Sequence, residues 1–284
     1  MKKGKIFLKK EKNTEPNRRE TQKAKATHTP PDKNHMELYG IIGKPLAHSF
    51  SQRYFTEFFE KTHREACYRR FELDSIEEFP ALIQENTTLV GLNVTLPYKQ
   101  KVIPYLHHLN DAAAAIGAVN VVKVTHTDNK TTLTGHNTDY IGFLQSIQPL
   151  LKPFHRKALI LGTGGASKAV NYALQELGLQ TTLVSRTPTE EQLPYDKLTP
   201  DIMEDHLVIV NTTPLGTYPD INACADIPYA FLGNRHLCYD LVYNPEKTLF
   251  LQKSEAQGAI IKNGLEMLHL QAKAAWEIWK NNKP

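Results

Sequence analysis

The stretch Ala158-Leu-Ile-Leu-Gly162-Thr-Gly164-Gly165-Ala166-Ser-Lys-Ala169 constrains the fold more than any other part of the chain. Its four leading apolar residues read as a buried strand. The glycines that follow let the backbone turn sharply, and the run from Ala166 to Leu177 reads as a helix closed by Gly178. The alternation continues, with further strands predicted at Thr181–Val184, Leu207–Val210 and Leu237–Leu241. Strands that alternate with helices lie parallel and are joined by right-handed crossovers. The chain beyond Pro153 is therefore predicted to form a parallel α/β sheet.

A glycine turn between a strand and a helix also suits a ligand. The helix N-terminus offers free N–H groups and a positive dipole end, and missing side chains let a diphosphate approach the backbone. Gly-x-Gly alone is weak, but here it has the strand-to-helix context that a dinucleotide site requires. A purely structural turn is the alternative. No G-x4-G-K-[ST] spacing is present, which excludes a Walker A loop. The next strand ends Val184-Ser185-Arg186-Thr187, where an NAD site usually has Asp or Glu for the ribose hydroxyl. Arginine suits a 2′-phosphate by charge and by planar stacking, so NADP is favoured over a solvated role for Arg186.

The first half reads as α/β too. Strands are predicted at Leu38–Ile42, Leu89–Val94 and Val119–Val124. Helices are predicted from Ser51 to about Thr62, from about Tyr98 after Pro97, and from Asp139 to Leu150. A last helix runs from about Leu265 to Trp279. Tyr54, Phe55, Phe58 and Phe59 fall at helical spacing and read as core. Polar residues cluster at or just beyond the strands: His48-Ser49-Phe50-Ser51, Asn93-Val94-Thr95, Lys99, Asn120 and Asn137-Thr138-Asp139. Ligands of open α/β sheets sit there, and hydroxyls, amides, one ammonium and one carboxylate suit a small polyhydroxy acid. Each could instead be a cap or turn residue, Asp139 as a helix cap above all.

Composition removes other classes. No apolar run approaches the ~18 residues of a membrane span. Three cysteines without a C-x-x-C pair argue against a disulfide scaffold or a four-cysteine zinc site, and fit a reducing cytoplasm. The net charge of +4 is uneven, because residues 1–35 hold eleven Lys or Arg against four acids and the remainder is mildly acidic. A nucleic-acid partner is therefore not expected for the body. Residues 1–35 are too poor in large apolar residues to offset ordering entropy, and are expected to be a disordered basic extension. Such a tail could be a solvated extension, sequence upstream of a start at Met36, or a contact for RNA or membrane.

In order and spacing, the chain from about Leu38 to Trp279 resembles the shikimate dehydrogenase family. The likeness rests on Gly43-Lys-Pro-Leu-Ala-His-Ser49-Phe-Ser51, Gly91-Leu-Asn-Val-Thr-Leu-Pro-Tyr-Lys99, Ala115-Ile-Gly-Ala-Val-Asn120 and Gly135-His-Asn-Thr-Asp139-Tyr-Ile-Gly-Phe143. It continues through the Gly162 turn, Asn211-Thr-Thr-Pro-Leu-Gly216, Tyr239-Asp-Leu-Val-Tyr243-Asn-Pro and Gly264-Leu-Glu-Met-Leu-His-Leu-Gln271. The resemblance implies NADPH-dependent reduction of 3-dehydroshikimate to shikimate, in aromatic amino-acid biosynthesis. It implies a substrate domain of residues 36–138 plus 264–284 and a Rossmann-like NADP domain of residues 139–263, flanking a cleft, in a monomer or homodimer. It implies that Lys99 and Asp139 are the catalytic pair. Ser49, Ser51, Asn93, Thr95, Asn120, Tyr243 and Gln271 would bind substrate. Gly162, Gly164, Gly165, Ala166, Ser185, Arg186, Thr187 and Gly264 would bind cofactor, and no metal is needed. The chemistry agrees: a nearby ammonium stabilises charge developing on a reduced carbonyl, and a carboxylate beside it pairs with the ammonium or relays the proton.

Three positions depart from the family pattern. Gln52 stands where the family often has Pro. Thr217 stands where it usually has Met. Pro188-Thr189-Glu190 stands where a second basic residue often follows the arginine, which leaves Arg186 to face a 2′-phosphate alone. The alternatives are an enzyme acting on quinate or an amino-shikimate, with NAD, and a non-catalytic binding homologue.

Overall fold

A computed structural model describes residues 36–281 apart from His48 and Asn129. The basic extension expected at 1–35 lies outside the described residues. Elements follow in chain order. The first part holds β1 (Glu37–Gly43), α1 (Phe50–Lys61), β2 (Ala66–Glu72), α2 (Phe79–Glu85), β3 (Leu89–Val94), β4 (His108–Leu109), α3 (Asp111–Ile116), β5 (Val121–Thr127) and β6 (Lys130–His136). The second holds α4 (Asp139–Ile147), β7 (Lys157–Leu161), α5 (Gly165–Glu176), β8 (Gln180–Ser185), β9 (Leu193–Pro194), α6 (Pro200–Asp205), β10 (Val208–Asn211), β11 (Leu237–Asp240), α7 (Leu249–Ala256), β12 (Ile260–Lys262) and α8 (Leu265–Lys280). No described helix is long and apolar enough to cross a membrane.

The strands form two six-stranded sheets. The second is parallel throughout, in the order β12-β11-β10-β7-β8-β9. Counted from β7, this is the doubly wound dinucleotide-binding order, with its switch point between β7 and β10. β7 and β10 are fully buried at Ala158–Leu161 and Val208–Val210, as strands covered on both faces must be.

The first sheet is mixed, in the order β2-β1-β3-β5-β6-β4. β1 runs parallel to β2 and β3, whereas β5 runs antiparallel to both β3 and β6. The carboxyl ends of β1, β3 and β6 therefore meet the amino end of β5 on one edge. Asn93 pairs with Val121, and Val121 with His136, so Asn120 and Asn137 follow on that edge. One face packs on α1 and α8, where Phe55, Phe59, Trp276 and Trp279 surround Tyr39. Trp279 is fully buried and its indole N–H donates to the Val122 carbonyl at 3.1 Å.

The expected helix from Tyr98 is absent. Tyr98 is irregular and Lys99 lies in a turn, followed by a single 3-10 turn at Ile103–Tyr105. Pro104 disfavours helical backbone before it, and Val102 and Ile103 are β-branched, so the segment lacks the means to propagate. The helix expected to Leu150 ends at Ile147 and continues as a 3-10 turn at Gln148–Leu150.

α4 and α8 cross closely because Gly142 has no side chain. A Cβ there would lie 2.5 Å from the Met267 carbonyl oxygen and 2.9 Å from the Gln271 nitrogen. Gly142→Ala is expected to cost about 1–3 kcal/mol through forced backbone shifts, measured by urea unfolding. A second prediction concerns acid. His136 has a buried Nε2 without a hydrogen-bond partner, and burial, with Lys123 adding to it, lowers its pKa. The folded state therefore binds fewer protons than the unfolded chain. Its neutral form gives full stability above the unfolded value near 6.5, and stability falls as pH drops below that. Burial lowers His155 in the same direction. His136→Phe should reduce the acid-limb slope of unfolding free energy against pH, by up to about 1.4 kcal/mol per pH unit.

Candidate active site

The shared edge of the first sheet gathers a connected set of polar side chains. Asn120 precedes β5 and is buried. Its amide nitrogen donates to Thr138 Oγ1 at 3.0 Å, to Asp139 Oδ1 at 2.8 Å and to Gln271 Oε1 at 3.5 Å. Its carbonyl oxygen accepts from the Thr138 backbone at 2.6 Å. Asp139 is the first residue of α4, and Thr138 occupies the cap position before it. The carboxylate does not cap the helix. Its Oδ2 accepts from Lys99 Nζ at 2.6 Å, with side-chain exposures of 16% for Lys99 and 11% for Asp139.

Asn93, at the end of β3, is buried beside them. Its amide donates to the Asn120 carbonyl at 3.4 Å, and its Oδ1 accepts from the Tyr68 hydroxyl at 2.6 Å. Ser49 caps α1, accepting from the Gln52 backbone at 3.4 Å, which leaves its own proton available. Gln52 thus supplies a cap N–H that Pro could not. Ser51 is buried in the first turn of α1. Gln271 is buried on α8.

A cavity of about 730 Å3 opens at the carboxyl ends of β7, β8 and β10. Thr95, Lys99, Gly162, Gly164, Gly165, Ala166, Ser185, Arg186 and Thr187 all line it. Gly162 has φ +106°, and a Cβ there would meet Thr212 Oγ1 at 2.9 Å, so only glycine fits. The first turn of α5 carries no acidic side chain, so its N–H groups and positive dipole end stay available to an anion. Arg186 is exposed at the far end and is the one basic side chain besides Lys99 in the cavity lining. Glu190 is exposed and is not part of that lining. The donor set fits a phosphorylated dinucleotide.

A second cavity, of about 1220 Å3, adjoins the first across Leu96, Ala166, Thr212, Thr213 and Pro214. Ser49, Gln52, Thr217 and Tyr243 line it. Of the residues expected at the site, Gly264 alone stands back from this arrangement. It leads into α8, and a Cβ on it would overlap the Leu241 backbone, while Leu241 lines the cavity.

Sequence reasoning missed several supporting groups. Asp240, at the end of β11, accepts from Asn211 Nδ2, the Val242 backbone and Thr248 Oγ1. Burial raises it to about 6. Asn211 in turn accepts from the backbone and hydroxyl of Thr213, shaping the loop that both cavities share. Tyr68 and its strand were missed as well.

The family model of the shikimate dehydrogenase substrate binding domain matches residues 41–122. The shikimate dehydrogenase (NADP(+)) of Desulforamulus reducens is 32% identical, over 86% of this chain and 89% of its own length. A chorismate mutase/shikimate 5-dehydrogenase fusion protein from Clostridium acetobutylicum superposes with a TM-score of 0.76 at 32% identity, covering 88% of this chain and 93% of that one. Shikimate 5-dehydrogenase from Thermus thermophilus, in complex with NADP(H) and shikimate, superposes with a TM-score of 0.75 at 30% identity, covering 88% and 95%. With an amide-anchored lysine–carboxylate pair on one sheet and a dinucleotide-type turn on the other, matched over nearly the whole described length, the chain belongs to the shikimate dehydrogenase family.

Proposed function

We propose that this protein is an NADP-dependent shikimate dehydrogenase, reversibly reducing 3-dehydroshikimate to shikimate in aromatic amino-acid biosynthesis in the cytoplasm. The observation that carries the reading is the Lys99–Asp139 pair at 2.6 Å, set where the dinucleotide cavity meets the polar edge of the first sheet. The Thermus thermophilus relative binds both NADP(H) and shikimate, which supports the same pair of small molecules here. We assign residues 36–138 plus 264–284 to substrate and 139–263 to cofactor, on the basis of the two sheets and their separate cores.

The cofactor, when bound, supplies the hydride. The Gly162–Ala166 turn and the start of α5 would hold its diphosphate, and Ser185, Arg186 and Thr187 its 2′-phosphate. The rest is proton and charge management by this chain. Reduction of the ketone moves negative charge onto its oxygen. Lys99 Nζ stabilises that charge and donates the proton, and acts as base in the reverse direction. Asp139 aims the ammonium and is the route by which Lys99 regains a proton. Asn120 holds Asp139 in turn. Ser49 and Ser51, with Tyr243, face the substrate carboxylate. Asn93, Thr95, Asn120 and Gln271 face ring hydroxyls or orient one another.

The test is turnover of shikimate with NADP+, with NAD+ and with quinate in separate assays, followed by absorbance of the reduced nicotinamide. Fast turnover with shikimate and NADP+ alone is expected. Comparable rates with NAD+ or quinate would move the assignment to the broader quinate/shikimate class, and no turnover would sink it. Lys99→Ala should lower kcat by about 10²–10⁴-fold with little change in KM, because the ammonium acts on transition-state charge. A variant that keeps kcat and loses only affinity would make Lys99 a binding residue.

A further inference from the structure

Tyr68 lines neither cavity, yet it is bonded to a member of the site. It lies on β2, the edge strand beyond β1, and is buried beneath the cleft. Its hydroxyl donates to Asn93 Oδ1 at 2.6 Å. The bond to Asn93 fixes which end of that amide is oxygen. The nitrogen then turns to the Asn120 carbonyl and the cleft.

The same face of β2 supports the serine loop further along. Tyr68, Arg70 and Glu72 alternate along the strand, so they project to one side. Arg70 donates to the carbonyls of Leu46 and Ala47, at 3.4 and 3.3 Å. Glu72 accepts from the Leu46 backbone at 2.6 Å. Those residues lead directly into Ser49. Polar groups on this face are thus spent on Asn93 and on the backbone that leads into Ser49.

We propose that Tyr68 is a positioning residue for substrate: it fixes Asn93 from behind and sets the affinity for the hydroxy acid without touching it. The inference rests on the shikimate reading above. Removing the phenol oxygen would leave Asn93 Oδ1 buried without its donor, a costly state that a flip cannot relieve because it would set that oxygen against the Asn120 carbonyl. With one of its two anchors gone, the amide would lose the fixed orientation that the substrate meets. The Lys99–Asp139 pair makes no contact with Tyr68 through these bonds and should be unaffected.

The experiment is Tyr68→Phe. The ring stacks on Phe55 with centroids 5.1 Å apart and an interplanar angle of 12°, so phenylalanine keeps the packing. KM for shikimate should rise at least about fivefold, with kcat within about threefold and KM for NADP+ unchanged. In an Asn93→Ala background the same change should add little, because its effect passes through Asn93. A wild-type KM for shikimate, additive effects, loss of cooperative unfolding, or a matching rise in KM for NADP+ would each overturn the proposal. Wild-type turnover of shikimate is the control. If it fails, the proposed function falls and this inference with it. If it succeeds while Tyr68→Phe matches it, only this inference falls.

Discussion

The amide of Asn120 is the point on which the site depends. One side chain contacts the carboxylate of Asp139, the cap residue Thr138 and Gln271 on α8. It joins the first sheet to two helices that belong partly to the second. Phe143 and Ile147 of α4 and Met267 of α8 pack into the core of the second sheet, while Ala272, Ala275, Trp276 and Trp279 of α8 pack into that of the first. An amide is suited to this place because it offers donor and acceptor at once. A carboxylate here would face Asp139 with a like charge, and an apolar residue would strand buried oxygens.

That anchoring explains how an ion pair can sit in a largely buried site. Removing two charges from water costs more than their attraction returns unless further hydrogen bonds complete the shell. Asp139 has such a shell, with Lys99 on one oxygen and Asn120 on the other. The pair is therefore better understood as a working arrangement than as a source of stability. Its geometry is set by bonds within the protein, the condition under which fixed charges stabilise a transition state efficiently.

Much of the second half was legible in the sequence, and for a physical reason. Its central strands are buried on both faces and read as short continuous apolar runs between helices. The first half was harder. β2 carries an exposed Arg69 on one face and Arg70 and Glu72, bonded to the loop before Ser49, on the other, so its apolar run is broken. β6 is rich in threonine, and α3 is only six residues long. Each site residue could be named from its motif, but their convergence could not be read from spacing. It follows from β5 running antiparallel between β3 and β6, which brings Asn93, Asn120 and Asp139 together although they lie 27 and 19 residues apart in turn. Tyr68 left no sequence signal, since a tyrosine on a strand beside Phe71 reads as core.

The supports of the Lys99–Asp139 pair and its neighbours differ in kind. Asp139 and Gln271 stand on helices locked by the close approach at Gly142. Lys99 stands on a turn, and its methylene stem passes Gly165, where an added Cβ would lie 3.7 Å from the stem's Cδ. The carboxylate is thus rigidly placed, and the ammonium reaches it on a flexible stem laid along the start of α5. The glycine that opens that helix consequently serves both halves of the cleft. A Cβ at 165 would lie in ordinary contact with that stem, 3.7 Å from its Cδ, so the glycine turn and the lysine pass each other at the width of one methyl group. The turn of the second sheet and the ammonium that reaches Asp139 are therefore set side by side in one cavity.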